Sequence, residues 1–189
     1  MYEKIIVDAD LCLKLGNSEK YEFLYELLPI ISKNIYIHTH VYGEVRFPKS
    51  AKDQLDKLIN EGKAKMVNEN ELSTIERVVY DNTYNNLARV MLNPNNPNKN
   101  KGETCSLAYA KAKSIPIFAT DEKELQGIID SQLNTGIDDI TCVRLIDIIK
   151  MAKGGSIDIP RKKCKAIWRI AGNTNDYFDV ILWPIEENA

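Results

Sequence analysis

The feature that most constrains this chain is the run Ile5-Ile6-Val7 stopping abruptly on Asp8. A short β-branched stretch ending in a carboxylate is how a buried parallel strand reads when it delivers polar residues to the carboxyl edge of a sheet. The pattern then alternates. Phe23, Leu24, Leu27, Leu28 and Ile31 recur at helical spacing within 18–32, and 34–37 reads as a second strand. The spacing predicts helix from His40 through Glu44, a break at Pro48, helix over 49–61 and a short third strand at 65–67. A long helix is expected over 71–92. Helices over 103–113, 121–130 and 144–153 then alternate with strands at 115–119 and 140–143. Alternation of this kind implies an α/β fold built on a doubly wound parallel sheet.

A chain of 189 residues, 44% of them hydrophobic, has the size and apolar content of one α/β domain with a real core. We expect that domain over 1–153. The remainder, 154–189, reads as a C-terminal extension packed on or appended to it, marked off by Gly154-Gly155 and Pro160. Residues 93–100, rich in Asn and Pro, lack periodicity and read as a loop. The formal net charge of -2 provides no global field for polyanions, so contact with nucleic acid would need a local basic patch. Cys12, Cys105, Cys142 and Cys164 are scattered without a C-x-x-C pair, which argues against a zinc site or a disulfide framework. No stretch approaches the roughly 18 apolar residues of a membrane span, and the expected location is the cytoplasm, with no membrane partner.

Ligand sites in open parallel sheets lie at the carboxyl ends of strands, so the acids placed there belong together: Asp8, Asp10, Glu44, Glu103 and Asp121. Taken singly, Asp8 and Asp121 read as helix caps, Glu103 as a helix N-terminal acid and Glu44 as a solvated helix residue. Taken together, carboxylates sharing one crevice raise one another's pKa unless a cation neutralises them, and their hard oxygens suit Mg2+ or Mn2+. Such a cluster offers what phosphodiester hydrolysis requires: an activated water and positive charge opposite the phosphorus.

Ile5-Ile6-Val7-Asp8-Ala9-Asp10, Tyr42-Gly43-Glu44-Val45, Gly102-Glu103-Thr104-Cys105-Ser106-Leu107-Ala108 and Ala119-Thr120-Asp121 resemble, in order and spacing, the PIN-domain family. The resemblance covers roughly residues 3–150. It implies a three-layer α/β/α sandwich with a central parallel sheet, a metal-dependent ribonuclease activity and, for many members, a role as a VapC-like toxin restrained by an antitoxin protein. It assigns Asp8, Glu44, Glu103 and Asp121 as the metal-binding and catalytic acids. Thr120 stands where a small hydroxyl residue often precedes the last acid. The chain departs from the family in having Asp10 where Asn, Ser or Thr is common, which makes Asp10 either an extra ligand or an outer acid. Glu103 replaces a frequent Asp. A homodimer is a further expectation from the resemblance, with the apolar segment reaching Trp183 as a candidate contact surface.

Two enzyme classes compete, since Asp8-Ala9-Asp10 after a strand also resembles the start of haloacid-dehalogenase-type phosphatases, whose first Asp is a nucleophile. That reading leaves Glu44 and Glu103 without a role, and Leu11-Cys12 departs from its pattern. A catalytically weak PIN scaffold that binds RNA or protein is the non-enzymatic alternative. His38 and His40 read as packing or surface residues. Between 150 and 169 seven cations face Asp158 alone, and within that run Lys162, Lys163, Lys165 and Arg169 are candidate RNA contacts. Trp168 either stacks on a base there or packs inward.

Overall fold

The computed structural model describes residues 1–96 and 98–184. Pro97, within the Asn/Pro loop, and the last five residues of the extension lie outside the described residues. Strands β1 (Tyr2–Val7), β2 (Ser32–His38), β3 (Ala64–Val67), β4 (Ile117–Ala119) and β5 (Thr141–Val143) form one sheet in the order β3-β2-β1-β4-β5, every pair parallel. The chain runs outward from β1 through β2 to β3, then crosses back to place β4 on the other side of β1. The switch point therefore falls between the carboxyl ends of β1 and β4, where open parallel sheets open a crevice.

Strand periodicity distributes the core to two faces. Ile5, Val7, Ile35, Ile37, Ile117 and Ala119 pack under one helical layer, whereas Ile6 and Phe118 pack under the other. The first layer holds α1 (Ala9–Gly16), α2 (Phe23–Ile31), α4 (Lys49–Asn60), α8 (Leu145–Lys153) and α9 (Arg161–Ile170). The second holds α5 (Thr74–Met91), α6 (Lys101–Ala112) and α7 (Leu125–Gln132), and the six-residue α3 (Thr39–Glu44) caps the end of β2. The result is a three-layer α/β/α sandwich. Ile157, Ile159, Cys164, Ile167, Trp168, Phe178 and Leu182 join the same core, so the described part of the extension packs against the first layer. That places Phe178 and Leu182 inside, and leaves Val180 and Ile181 exposed in the segment expected to make contacts. All four cysteines are free thiols. No described helix is long and apolar enough to cross a membrane.

The three largest differences from the sequence expectation each have a local reason. Helix α1, at eight residues, is too short to stand out as a periodic segment, yet Leu11, Cys12 and Leu15 bury one face of it immediately after Asp8. Helix α2 starts at Phe23 rather than 18 because the Ser18 hydroxyl accepts from the Lys20 and Tyr21 amides, folding those residues into a turn. Helix α7 starts at Leu125 rather than 121 because Thr120 to Glu122 are pinned to the sheet edge, with the Glu122 amide donating to Thr120 Oγ1 at 3.2 Å.

Helices α1 and α4 meet at Gly16. A Cβ there would stand 2.4 Å from Ala51 Cα, so the backbones have to separate to admit one. Gly16→Ala is expected to destabilise the fold by about 2 kcal/mol, read as a lower urea midpoint with an unchanged slope.

Candidate active site

The register aligns the carboxyl ends of three strands. Val7 pairs with Ala119 and Ala119 with Val143. The next residues continue the ladder, the Asp8 amide donating to Ala119 O at 2.9 Å and the Thr120 amide to Val143 O at 3.1 Å. Asp8, Thr120 and Arg144 thus stand side by side along the edge, at the switch point.

Asp8 is only 2% exposed, and the Thr120 hydroxyl donates to its Oδ2 at 3.0 Å. Burial pushes its carboxyl up to about 6, with the negative charges of Asp10 and Glu44 adding to the effect. The Ala9 amide and the Thr120 hydroxyl oppose it. Glu103, in the first turn of α6, is pushed up to about 7 by burial and then by Asp8, Glu122, Glu44 and Asp10. A helix N-terminus ordinarily favours a carboxylate; here desolvation and like charge outweigh it. Glu44 closes α3; the residue is exposed overall, but partial desolvation of its carboxyl raises it, against a Gly102 amide that donates to its Oε1 at 3.1 Å.

Gly102 leaves no room for a side chain, because a Cβ would sit 2.7 Å and 2.8 Å from the two Glu44 carboxylate oxygens. Gly102→Ala is expected to displace Glu44 by rotamer change while shifting the melting temperature little. Activity that depends on Glu44 would drop at least about tenfold, since misplacing a reacting group by around an ångström costs up to ~100-fold.

Asp121 has a different environment from the other three family-pattern acids. Its Oδ2 accepts from Lys14 Nζ at 2.9 Å and its Oδ1 from the Leu145 amide at 3.3 Å. Lys14 also bonds Asp10 at 2.9 Å, so one ammonium bridges both carboxylates. The acid whose charge bears on Glu103 from this segment is the neighbouring Glu122, which sequence reasoning passed over. A usable signal existed: in an extended stretch, residues two apart share a side, so Glu122 rather than Asp121 follows Thr120 toward the acids.

No three of the described His, Cys, Asp and Glu side chains stand close enough together to grip a metal ion in their present rotamers. The donor set nonetheless suits a hard divalent cation. It is all oxygen, and Asp8 and Glu103 carry a charge penalty that a cation would remove.

Three depressions surround the acids. One holds Glu44 with His40, Arg46, Asn98 and Lys101; another holds Glu103 and Glu122 with Lys99 and Asn100. The Asn/Pro loop thus borders the acids on two sides. The third opens beside Lys14 and Asp121. His38 is fully buried and held down to about 4, chiefly by desolvation and against the charge of Glu69. Its Nδ1 accepts from the His40 amide. Among the basic candidates, Lys163 pairs with Glu26 at 2.6 Å and Lys165 pairs with Asp179, while Lys162 and Arg169 are exposed. Trp168 packs inward, 7% exposed, with its indole donating to Thr174 O at 2.9 Å.

No family model matches the chain, and no curated protein matches it. Among solved structures it is similar to a chain in the crystal structure of VapBC2 from Rickettsia felis bound to a DNA fragment from their promoter. The identity is 11% and the TM-score 0.46, over 75% of this chain and 98% of that one. A likeness that distant assigns neither family nor activity, so any functional reading rests on the residues at the sheet edge.

Proposed function

We propose that the chain is a PIN-type ribonuclease that hydrolyses RNA phosphodiester bonds with Mg2+ or Mn2+ held by Asp8, Glu44 and Glu103, with Asp121 or Glu122 as the fourth acid. The observation that carries the reading is the gathering of Asp8, Asp10, Glu44 and Glu103 at the switch point of a parallel sheet, where burial and mutual repulsion raise Asp8 and Glu103 far above ordinary carboxylates. When bound, the metal would supply an activated water and positive charge against the phosphoryl oxygens. The chain's own groups prepare the site. Thr120 orients Asp8, the Gly102 amide orients Glu44, and Lys14 balances Asp10 and Asp121.

The resemblance extends the proposal to a cytoplasmic, homodimeric toxin held in check by an antitoxin. The ligating groups do not stand within grasp of one ion in their present rotamers, and this favours a second reading, a scaffold that binds RNA and cuts little. Incubating a labelled RNA pool with the protein and Mg2+, Mn2+ or chelator separates the two. The nuclease reading expects cutting with either metal, none with chelator, and products ending in 3′-hydroxyl and 5′-phosphate. Binding without metal-dependent cutting would install the scaffold, and hydrolysis of small phosphomonoesters alone would install the phosphatase.

A further inference from the structure

The depression beside Lys14 and Asp121 is a groove of about 590 Å³ walled by the sheet edge on one side and the extension on the other. Lys14, Lys123 and Arg144 line it against the single carboxylate of Asp121, and Trp168, Asn173 and Tyr177 form its far wall. Two of its cations have side chains that make no hydrogen bond to a carboxylate among the described residues. Lys123 is exposed and pairs with no carboxylate among the described residues. The Arg144 side chain is 28% exposed, and its buried Nε stands 3.9 Å from Asp121 Oδ1, in ion-pair range but beyond a hydrogen bond, so the exposed part of the guanidinium faces the groove. The aromatic wall is preformed. Tyr177 stacks on Trp168 with centroids 5.8 Å apart and planes 18° from parallel, and 42% of it stays exposed. The groove adjoins the acid cluster, because Lys14 on its rim also bonds Asp10, two residues from Asp8.

We propose that this groove binds single-stranded RNA next to the acid cluster, with backbone phosphates at Lys123 and Arg144 and a base stacked on Tyr177. Cations that track a backbone beside an exposed aromatic surface are how proteins hold single strands without base-specific contacts. A duplex keeps its bases stacked on one another and offers none to Tyr177. The inference rests on the ribonuclease reading for the identity of its ligand. It gives the extension a task, which is to supply the aromatic half of a substrate channel whose cationic half comes from the sheet edge. It also moves the main RNA contact from the α9 basic run to the groove.

The test is fluorescence anisotropy of a labelled ten-nucleotide single-stranded RNA in chelator, where no cutting is needed for signal. Tyr177→Ala is expected to weaken binding about tenfold or more, and Tyr177→Phe to keep it. Lys123→Glu is expected to weaken it and to flatten the salt dependence by about 0.7 or more in the log–log slope. Lys33→Glu, at the amino edge of β2 far from the groove, is expected to bind as wild type does. Duplex RNA of the same sequence is expected to bind more weakly than the single strand. Melting curves confirm that each variant folds. The proposal is overturned if wild type does not bind the single strand, if Tyr177→Ala and Lys123→Glu both bind like wild type, or if duplex binds as tightly. Groove-dependent binding with no metal-dependent cutting would sink the nuclease reading and leave the groove standing; cutting with no effect of the groove variants would do the reverse.

Discussion

Asp8→Asn is expected to lower metal-dependent RNA cleavage by about a thousandfold while leaving the fold intact at neutral pH. Asparagine matches aspartate in shape and keeps an oxygen to accept from the Thr120 hydroxyl, so the edge between β1 and β4 retains its hydrogen bond. What disappears is the charge. Asp8 is the most buried of the sheet-edge acids and lies at the switch point itself, where its carboxylate has the least competition from water for a cation. Removing one group that stabilises developing charge on a phosphoryl centre typically costs ~100- to 1000-fold, and loss of a ligand adds weakened metal affinity. The measurement is the initial cleavage rate across a titration of Mg2+, with wild type and variant purified in parallel. A variant that cuts as fast as wild type at every metal concentration would place the catalytic metal elsewhere, or place the activity in a contaminant.

The same substitution separates chemistry from stability. A buried charge is a cost to folding unless it is paired, and Asp8 has only a hydroxyl, a backbone amide and like-charged neighbours. Lys14 could have served as its counter-ion, but it is committed to Asp10 and Asp121. The chain therefore spends its nearby cation on the outer pair and leaves the inner acids uncompensated, which is the arrangement expected where an external cation is to be drawn in.

Sheet and layers were legible in the sequence because they depend on periodicity: Ile5-Ile6-Val7 alternates faces as a doubly covered strand must, and the helices repeat at their own period. Edges were less legible. The end of β4 is decided by hydrogen bonds to residues distant in sequence, the Thr120 amide to Val143 and the Asp121 carboxylate to Lys14 and Leu145. No local pattern encodes those. This is why an apparent helix over 121–130 gives up its first turn, and why Asp121 and Glu122, adjacent in sequence, part company in space. In the basic run of the extension, charge and availability separate: Lys162 and Arg169 stay exposed. Lys163 is matched by Glu26, distant in sequence, and Lys165 by Asp179 within the extension itself, while the less conspicuous Lys123 has no carboxylate partner among the described residues.

Wild type and Asp8→Asn are expected to diverge in stability as pH rises from about 4 to 7 in the absence of metal. Folding lifts the Asp8 carboxyl from its ordinary 3.8 to about 6, so the folded chain holds that proton more tightly than the unfolded chain does. Such a group contributes stability at low pH and loses it as pH climbs through the folded value. Two units correspond to ~3 kcal/mol. Glu103, raised to about 7 but more accessible, works in the same direction with a smaller effect after solvent screening. His38 works oppositely. It is held down to about 4, so its contribution is present above the ordinary imidazole range and is lost as pH falls toward 4. The total profile of wild type therefore mixes opposing slopes, and the informative quantity is its difference from Asp8→Asn, in which His38 cancels. Chelated wild type is expected to lose about 5–10 °C of melting temperature relative to Asp8→Asn between pH 4 and 7.5. Adding Mg2+ at pH 7.5 is expected to recover most of that loss in wild type and little in the variant, because ligand binding to the native state adds stability only where the site is intact. Parallel profiles with and without metal would mean that Asp8 is neither charged at a cost nor a ligand, and the acid cluster would then be a structural feature of the edge.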